Sequence, residues 1–276
     1  MRKCLRLISI GQVRPERLAR WEQGRNTKVL VQTEVTVTQA ALLVHPCGDR
    51  ALSLRVAANG PALAGDKIIA LAQSLREDPL NGVVETVPTC DALLVIYDPK
   101  TVPFAHVCAG LEDRFADLPD QALIGRMWDI PVVYGGDVGV DLDALAQAKR
   151  MSRDALITLH ASATYSVYMA GGAPGFAYLG GLPEVLHTPR LAVPRPRVEA
   201  GAVGIGGRQA AVTSAAGPSG WRYIGQTPVC LLDQTRADPI LMRAGDRVRF
   251  YAVSAADGRQ MARTKFAPEP RVLSAP

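Results

Sequence analysis

The side chains best equipped for chemistry fall in two neighbouring stretches. The first, HASATYSVYMAGGAPGFAYLGG (160–181), sets His160 ahead of Tyr165 and Tyr168, then enters a glycine-crowded turn around Pro174, Gly175 and Phe176. Histidine titrates near neutral pH, so His160 is the side chain here best fitted for acid/base work. A second account of it is equally physical: a histidine at a helix C-terminus, satisfied by the last carbonyls and the helix dipole. The turn has neither GxxxxGK[ST] nor GxGxxG spacing and is not a phosphate loop. Its amides could face an anion or a developing oxyanion, or it could be the corner of a barrel.

The second stretch carries Pro189, Arg190, Pro194, Arg195, Pro196 and Arg197. Guanidinium is permanently charged and grips carboxylate or phosphate through two parallel hydrogen bonds, and flanking prolines reduce the freedom lost in doing so. In an extended chain Arg195 and Arg197 share a face, and Arg190 points away unless Pro194 bends the path. A solvated loop of arginines is the plain alternative. Trp221, between Gly220 and Arg222 in GPSGWRYIGQTP, could stack on a flat substrate or belong to the core. No Ser-His-Asp order, metal-ligand set or catalytic carboxylate pair accompanies these residues.

Bulk properties narrow the setting. The net charge of +5 is concentrated in residues 1–40, with eight Lys/Arg against three Asp/Glu; residues 41–276 hold 23 of each. A neutral body argues against nucleic acid as a partner. Five scattered cysteines without CxxC pairs suit reduced thiols in a cytoplasmic protein. No apolar run approaches the ~20 residues that a membrane helix needs.

The elements that must position these residues follow from periodicity. Residues 1–40 read as a basic extension, with KVLVQTEVTV (28–37) alternating like a strand. Residues 41–127 read as an α/β domain: strand 51–56, helix 67–76, strands 83–87 and 93–97, helix 102–118. Strand 130–134 would complete a ferredoxin-like βαββαβ pattern. Asp141 would cap a helix over 143–149, and Ser152 another ending near His160. Twelve glycines between Gly171 and Gly225 and seven prolines between Pro174 and Pro228 separate short apolar stretches. That composition predicts a mainly-β barrel over 128–255. A disordered tail over 256–276 would follow.

Several motifs then occur in one order: IPVVYGG, the His160–Tyr165 pair, PGFAYLGGLPE, HTPR, the Pro-Arg pairs, AGAVGIGG, GW-x-x-IG-x-TP and RAGDRVRF. Over about residues 48–253 the chain resembles the family of the B-type 5-oxoprolinase subunit, also called KipI-type or allophanate hydrolase subunit 1 proteins. The resemblance implies a small α/β N-terminal domain and a cyclophilin-like β-barrel. It implies partnership with the C-type and A-type 5-oxoprolinase subunits in the ATP-dependent opening of 5-oxoproline to glutamate, with magnesium and ATP shared with those partners. Two other roles occur among relatives: the carboxyltransferase part of urea carboxylase, and inhibition of a sensor histidine kinase. On the main reading His160 serves as acid/base and Arg195 acts with Arg190 on the substrate carboxylate or a phosphate. Tyr165, Pro174, Gly175, Phe176, Arg197, Trp221 and Arg222 line the pocket. The chain departs from the family pattern at Gly172, Thr213, Ser219 and Gln226. Gly172 stands where a phenylalanine is usual, and Ser219 would be strained if its position required positive φ.

Overall fold

The structure is a computed structural model that describes residues 33–37, 40–57, 61–118 and 125–272. The basic segment 1–32 lies outside these residues. The chain opens with β1 (Thr33–Val37), β2 (Ala40–Pro46) and β3 (Ala51–Ala57). Helix α1 (Pro61–Glu77), β4 (Val83–Pro88), β5 (Ala92–Tyr97) and α2 (Phe104–Ala116) follow. These strands form an antiparallel sheet in the order β1-β2-β3-β5-β4. One face, with Leu42, Leu52, Leu54, Leu93 and Val95, packs on Ile68, Leu71 and Leu75 of α1 and Leu111 and Phe115 of α2. Burying that apolar stripe is what holds both helices to the sheet.

The expected closing strand of a ferredoxin-like unit is not there. β2 precedes β3 in the chain and already pairs with it from Ala41 to Pro46, so the edge beside β3 is taken. The segment expected to fill it belongs to β6 (Arg126–Tyr134), which goes elsewhere. β6 runs parallel to β14 (Arg247–Ala252), pairing Met127–Val132 with Arg247–Ala252.

Between these two lie α3 (Leu142–Ala148), α4 (Arg153–Ser162), β7 (Thr164–Ala170) and β8 (Ala177–Gly180). They are followed by β9 (Arg195–Val198), β10 (Ala202–Gly206), β11 (Gln209–Val212), β12 (Gly217–Ser219) and β13 (Arg222–Gln226). Seven strands close a barrel in the order β6-β14-β7-β8-β11-β10-β13, with β13 returning to β6. Closure pairs each strand of the ring on both sides, leaving free edge only where β13 and β6 part. β9 and β12 form a separate two-stranded ribbon. Ser152 caps α4 as expected, its Oγ accepting from the Ala155 amide at 3.1 Å. Asp141 does not cap α3 with its side chain, which is committed elsewhere.

The segment expected to be a disordered tail is ordered through Val272. It forms α5 (Ala255–Arg263), capped by Ser254, and β15 (Arg271–Val272). β13 meets β6 only at Val133 and Tyr134, and β15 pairs with the other end of β6 at Arg126 and Met127. An available strand edge thus recruits a Pro/Ala-rich segment whose composition alone suggests no structure. No helix among the described residues is long and apolar enough to cross a membrane.

Candidate functional site

The wall made by β8, β10, β11 and β13 has two faces, as strand alternation requires. Ala177, Leu179, Val203, Ile205, Ala210, Val212 and Ile224 belong to the barrel core. Phe176, Trp221, Tyr223, Ala202 and Ala211 form a separate cluster, with Tyr178 and Val198 packed against it. On β10 the positions beneath these rings are glycines. A Cβ at Gly206 would lie 2.7 Å from the Trp221 ring and 3.1 Å from the Arg190 stem, and one at Gly204 would lie 3.0 Å from Tyr223. AVGIGG therefore provides a flat strip on which flat side chains can lie. Phe176 and Tyr178 have ring centroids 4.5 Å apart, and Trp221 stands 6.0 and 5.9 Å from them.

Arg190 completes this platform from the loop before β9. Its guanidinium carbon sits 4.6 Å from the Trp221 ring centroid, a cation–π geometry. The loop is fastened there by the Leu191 amide, which donates to the Gly220 carbonyl at 2.7 Å. Among the described residues no carboxylate lies within ion-pair distance of Arg190. Arg222 flanks it and donates through Nε to the Pro189 carbonyl at 2.9 Å.

Arg195 is differently employed. Its Nη1 and Nη2 donate to the two carboxylate oxygens of Asp141 at 2.9 and 2.6 Å. The same Asp141 side chain accepts the Tyr223 amide at 2.7 Å, which is why it does not cap α3. Arg197 is exposed and pairs with Glu199 at 2.7 Å, away from the rings. Ser219 Oγ and the Tyr223 hydroxyl lie 2.7 Å apart. Burial pushes the Tyr223 phenol upward, opposed by the Ser219 hydrogen bond and the nearby Arg195 and Arg190 charges. The phenol is therefore neutral at neutral pH.

His160 is not part of this surface. It is fully buried on α4, stacked on Phe250 with centroids 4.9 Å apart, and its Nδ1 lies 2.8 Å from the Tyr134 hydroxyl. Burial lowers its pKa to about 3. Nε2 has no partner among the described groups. A neutral imidazole with no exposed surface, sealed among core rings, is poorly placed for proton exchange with a bound substrate, so the geometry does not support the acid/base assignment. Tyr165 shares that burial, its hydroxyl donating to the His160 carbonyl at 2.9 Å.

The glycine turn is the tip of the β7–β8 hairpin. The Gly171 amide donates to the Phe176 carbonyl and the Phe176 amide to the Ala173 carbonyl, both at 3.0 Å. Pro174 is exposed at the tip. Gly175 has φ +76°, and a Cβ there would meet Ser214 at 3.4 Å. The structure thus gathers Phe176, Arg190, Trp221 and Arg222, keeps Arg195 behind them, and leaves His160, Tyr165 and Arg197 outside.

Tyr178, Tyr223, Ser219 and Asp141 are members to which the sequence reading gives no site role. Phe176/Tyr178 and Trp221/Tyr223 are spaced by two, and that spacing in a strand is the available signal. Nothing local marks Asp141, because its partners lie 54 and 82 positions away. Ser219 is not strained: among the described residues only Arg150 and Lys265 are non-glycine residues with positive φ. Gly172 does have φ +65°, and a Cβ there would meet only the Tyr178 hydroxyl, at 3.8 Å.

Relatives agree with this architecture. The family described as "Carboxyltransferase domain, subdomain C and D" matches residues 42–242. A Bacillus subtilis protein named as the B-type subunit of 5-oxoprolinase is 35% identical over 225 residues, covering 78% of this chain and 94% of the relative. A Haemophilus influenzae protein of the same name is 42% identical over 181 residues, 66% of this chain and 84% of the relative. The solved structure of TTHA0988 superposes with a TM-score of 0.66 at 33% identity over 75% of this chain, which spans 40% of that longer protein. Kluyveromyces lactis urea carboxylase matches 89% of this chain and 25% of its own length with a TM-score of 0.71; at 17% identity that likeness shows the fold alone. With the family match and the Bacillus relative both spanning most of the described strands, the chain belongs to the carboxyltransferase subdomain C and D family, and within it to the proteins named as the B-type subunit of 5-oxoprolinase.

Proposed function

We propose that the chain acts as the B-type subunit of a heteromeric, ATP-dependent 5-oxoprolinase and that the outer-wall platform is its share of the substrate site. 5-Oxoproline offers a flat lactam ring and a carboxylate. Half-buried Tyr178, backed by the buried Phe176 and Trp221 rings, suits the ring, and exposed Arg190, held over Trp221 and unmatched by a carboxylate among the described residues, suits the anion. That guanidinium is the observation that carries the reading.

Ring opening adds water across the lactam C–N bond, and ATP supplies the driving force. Magnesium-bound ATP requires oxygen ligands for the metal and a cradle for its phosphates. Among the described residues no group of three or more His, Cys, Asp or Glu is arranged to hold a metal ion. The nucleotide and its ion are taken to be shared with the A-type and C-type partners, and the contribution argued for this chain is binding and orientation. The free thiols Cys47, Cys90, Cys108 and Cys230 suit a reducing, cytoplasmic setting.

The test is ATP-dependent glutamate release from 5-oxo-L-proline by this chain combined with candidate A-type and C-type partners. Release is expected only from the assembled mixture. A well-folded, properly assembled complex that yields no glutamate would sink the reading.

A further inference from the structure

Arg195 looks in the sequence like a second anion-binding arginine, yet the structure uses it for something else. Its guanidinium is matched oxygen for oxygen by Asp141, and the Asp141 side chain is only 9% exposed. A pair so arranged has no charge left over for a substrate. What surrounds it is backbone. Asp141 accepts the Tyr223 amide through its side chain at 2.7 Å and donates its own amide to the Tyr223 carbonyl at 2.9 Å. Arg195 Nη1 also approaches the Trp221 carbonyl at 3.4 Å.

Three segments meet at this pair: the turn before α3, the start of β9 and the entry to β13. The β9–β12 ribbon belongs to neither of the larger sheets, so its position on the barrel depends on such side-chain ties. Ser219 of β12 supplies one more tie, to the Tyr223 hydroxyl. The Arg190 loop then follows the ribbon, through the bond from the Leu191 amide to Gly220.

We propose that Asp141 and Arg195 form a positioning clamp, which sets Trp221 and Tyr223 beneath Arg190 and so governs affinity for the substrate carboxylate rather than the rate of ring opening. The substrate half of this statement rests on the function proposed above; the clamp itself does not. Arg195 is thereby a positioning residue acting through Trp221, and Asp141 joins it.

Removing one partner alone leaves the other charge largely buried and uncompensated, which can unfold a protein. The informative variant is the neutral pair, Asp141→Asn with Arg195→Gln, alongside Arg195→Lys. In the assembled complex the neutral pair is expected to raise KM for 5-oxo-L-proline by about tenfold or more with kcat within about threefold, the pattern of lost binding that is uniform between ground and transition states. Arg195→Lys should recover part of that loss. On the isolated chain, hydrogen exchange over residues 220–226 should accelerate by about tenfold in the neutral pair, with β10 and β11 unchanged. Unchanged KM despite faster exchange, a fall in kcat alone, or loosening of the whole barrel would each overturn the clamp. If the unmodified complex shows no turnover, the substrate reading fails, and unchanged exchange over 220–226 would still overturn the clamp.

Discussion

The barrel core and the outer wall make an instructive pair. Both carry aromatic rings beside an ionisable group: His160 with Tyr165 and Phe250 on the inside, Arg190 with Trp221 and Tyr178 on the outside. Inside, the ionisable group is sealed among rings, and desolvation removes its charge. Outside, guanidinium keeps its charge and lies across a ring at the solvent boundary. A histidine beside tyrosines is chemically suggestive in a sequence, but usefulness depends on which side of the strand it meets. The inner cluster holds the barrel together, while the outer one keeps Arg190 exposed and Tyr178 half-buried over the buried rings of Phe176, Trp221 and Tyr223.

Substitutions should separate the two faces. The largest effect is expected from Phe250→Ala, which removes the ring stacked on His160 and set edge-on to Tyr165; it should cost about 3–5 kcal/mol in denaturant unfolding. A loss below about 1 kcal/mol would mean that the inner cluster is not the core that its burial implies.

Acid should act on the same face. The folded-state pKa of His160 is depressed to about 3 from the ordinary 6.5, so its contribution to stability is full above about pH 6.5. As pH falls from there towards about 3, the unfolded chain binds the proton first and stability declines. His160→Gln should flatten that part of the stability–pH profile. The pH profile of turnover should show no inflection that His160→Gln removes.

On the outer face, Arg190→Ala should leave stability within about 0.5 kcal/mol and raise KM for 5-oxo-L-proline by roughly 10- to 100-fold, the scale of a charge-assisted hydrogen bond. Unchanged KM and turnover would remove Arg190 from the site. The smallest effect belongs to Arg197→Ala. Its exposed pair with Glu199 is worth at most about 1 kcal/mol, and both stability and turnover should stay near those of the unmodified chain.

Local rules read much of the fold correctly. Apolar periodicity locates α1, α2 and the strands β3 to β5, and Ser152 marks the start of α4 because a cap is a short-range event. The failures are all of longer range. Ile130–Tyr134 is a strand, as its alternation predicts, but it pairs with β14, since apolar alternation specifies a strand without specifying its neighbour. Residues 256–272 look structureless in sequence, partly because the strand edge that takes Arg271 and Val272 belongs to β6, far earlier in the chain.

The candidate site divides in the same way. By itself the sequence determined which residue types are available: the Pro-Arg series, the aromatic pairs spaced by two, and the glycines of AVGIGG that can lie beneath them. Only the tertiary structure decided which arginine keeps its charge for a ligand. Arg190 and Arg195 are alike in composition and in their proline neighbours, and what distinguishes them is Asp141, brought from 54 positions away to neutralise one and not the other. Charge pairing depends on distance through space, and strand order, not spacing along the chain, sets that distance.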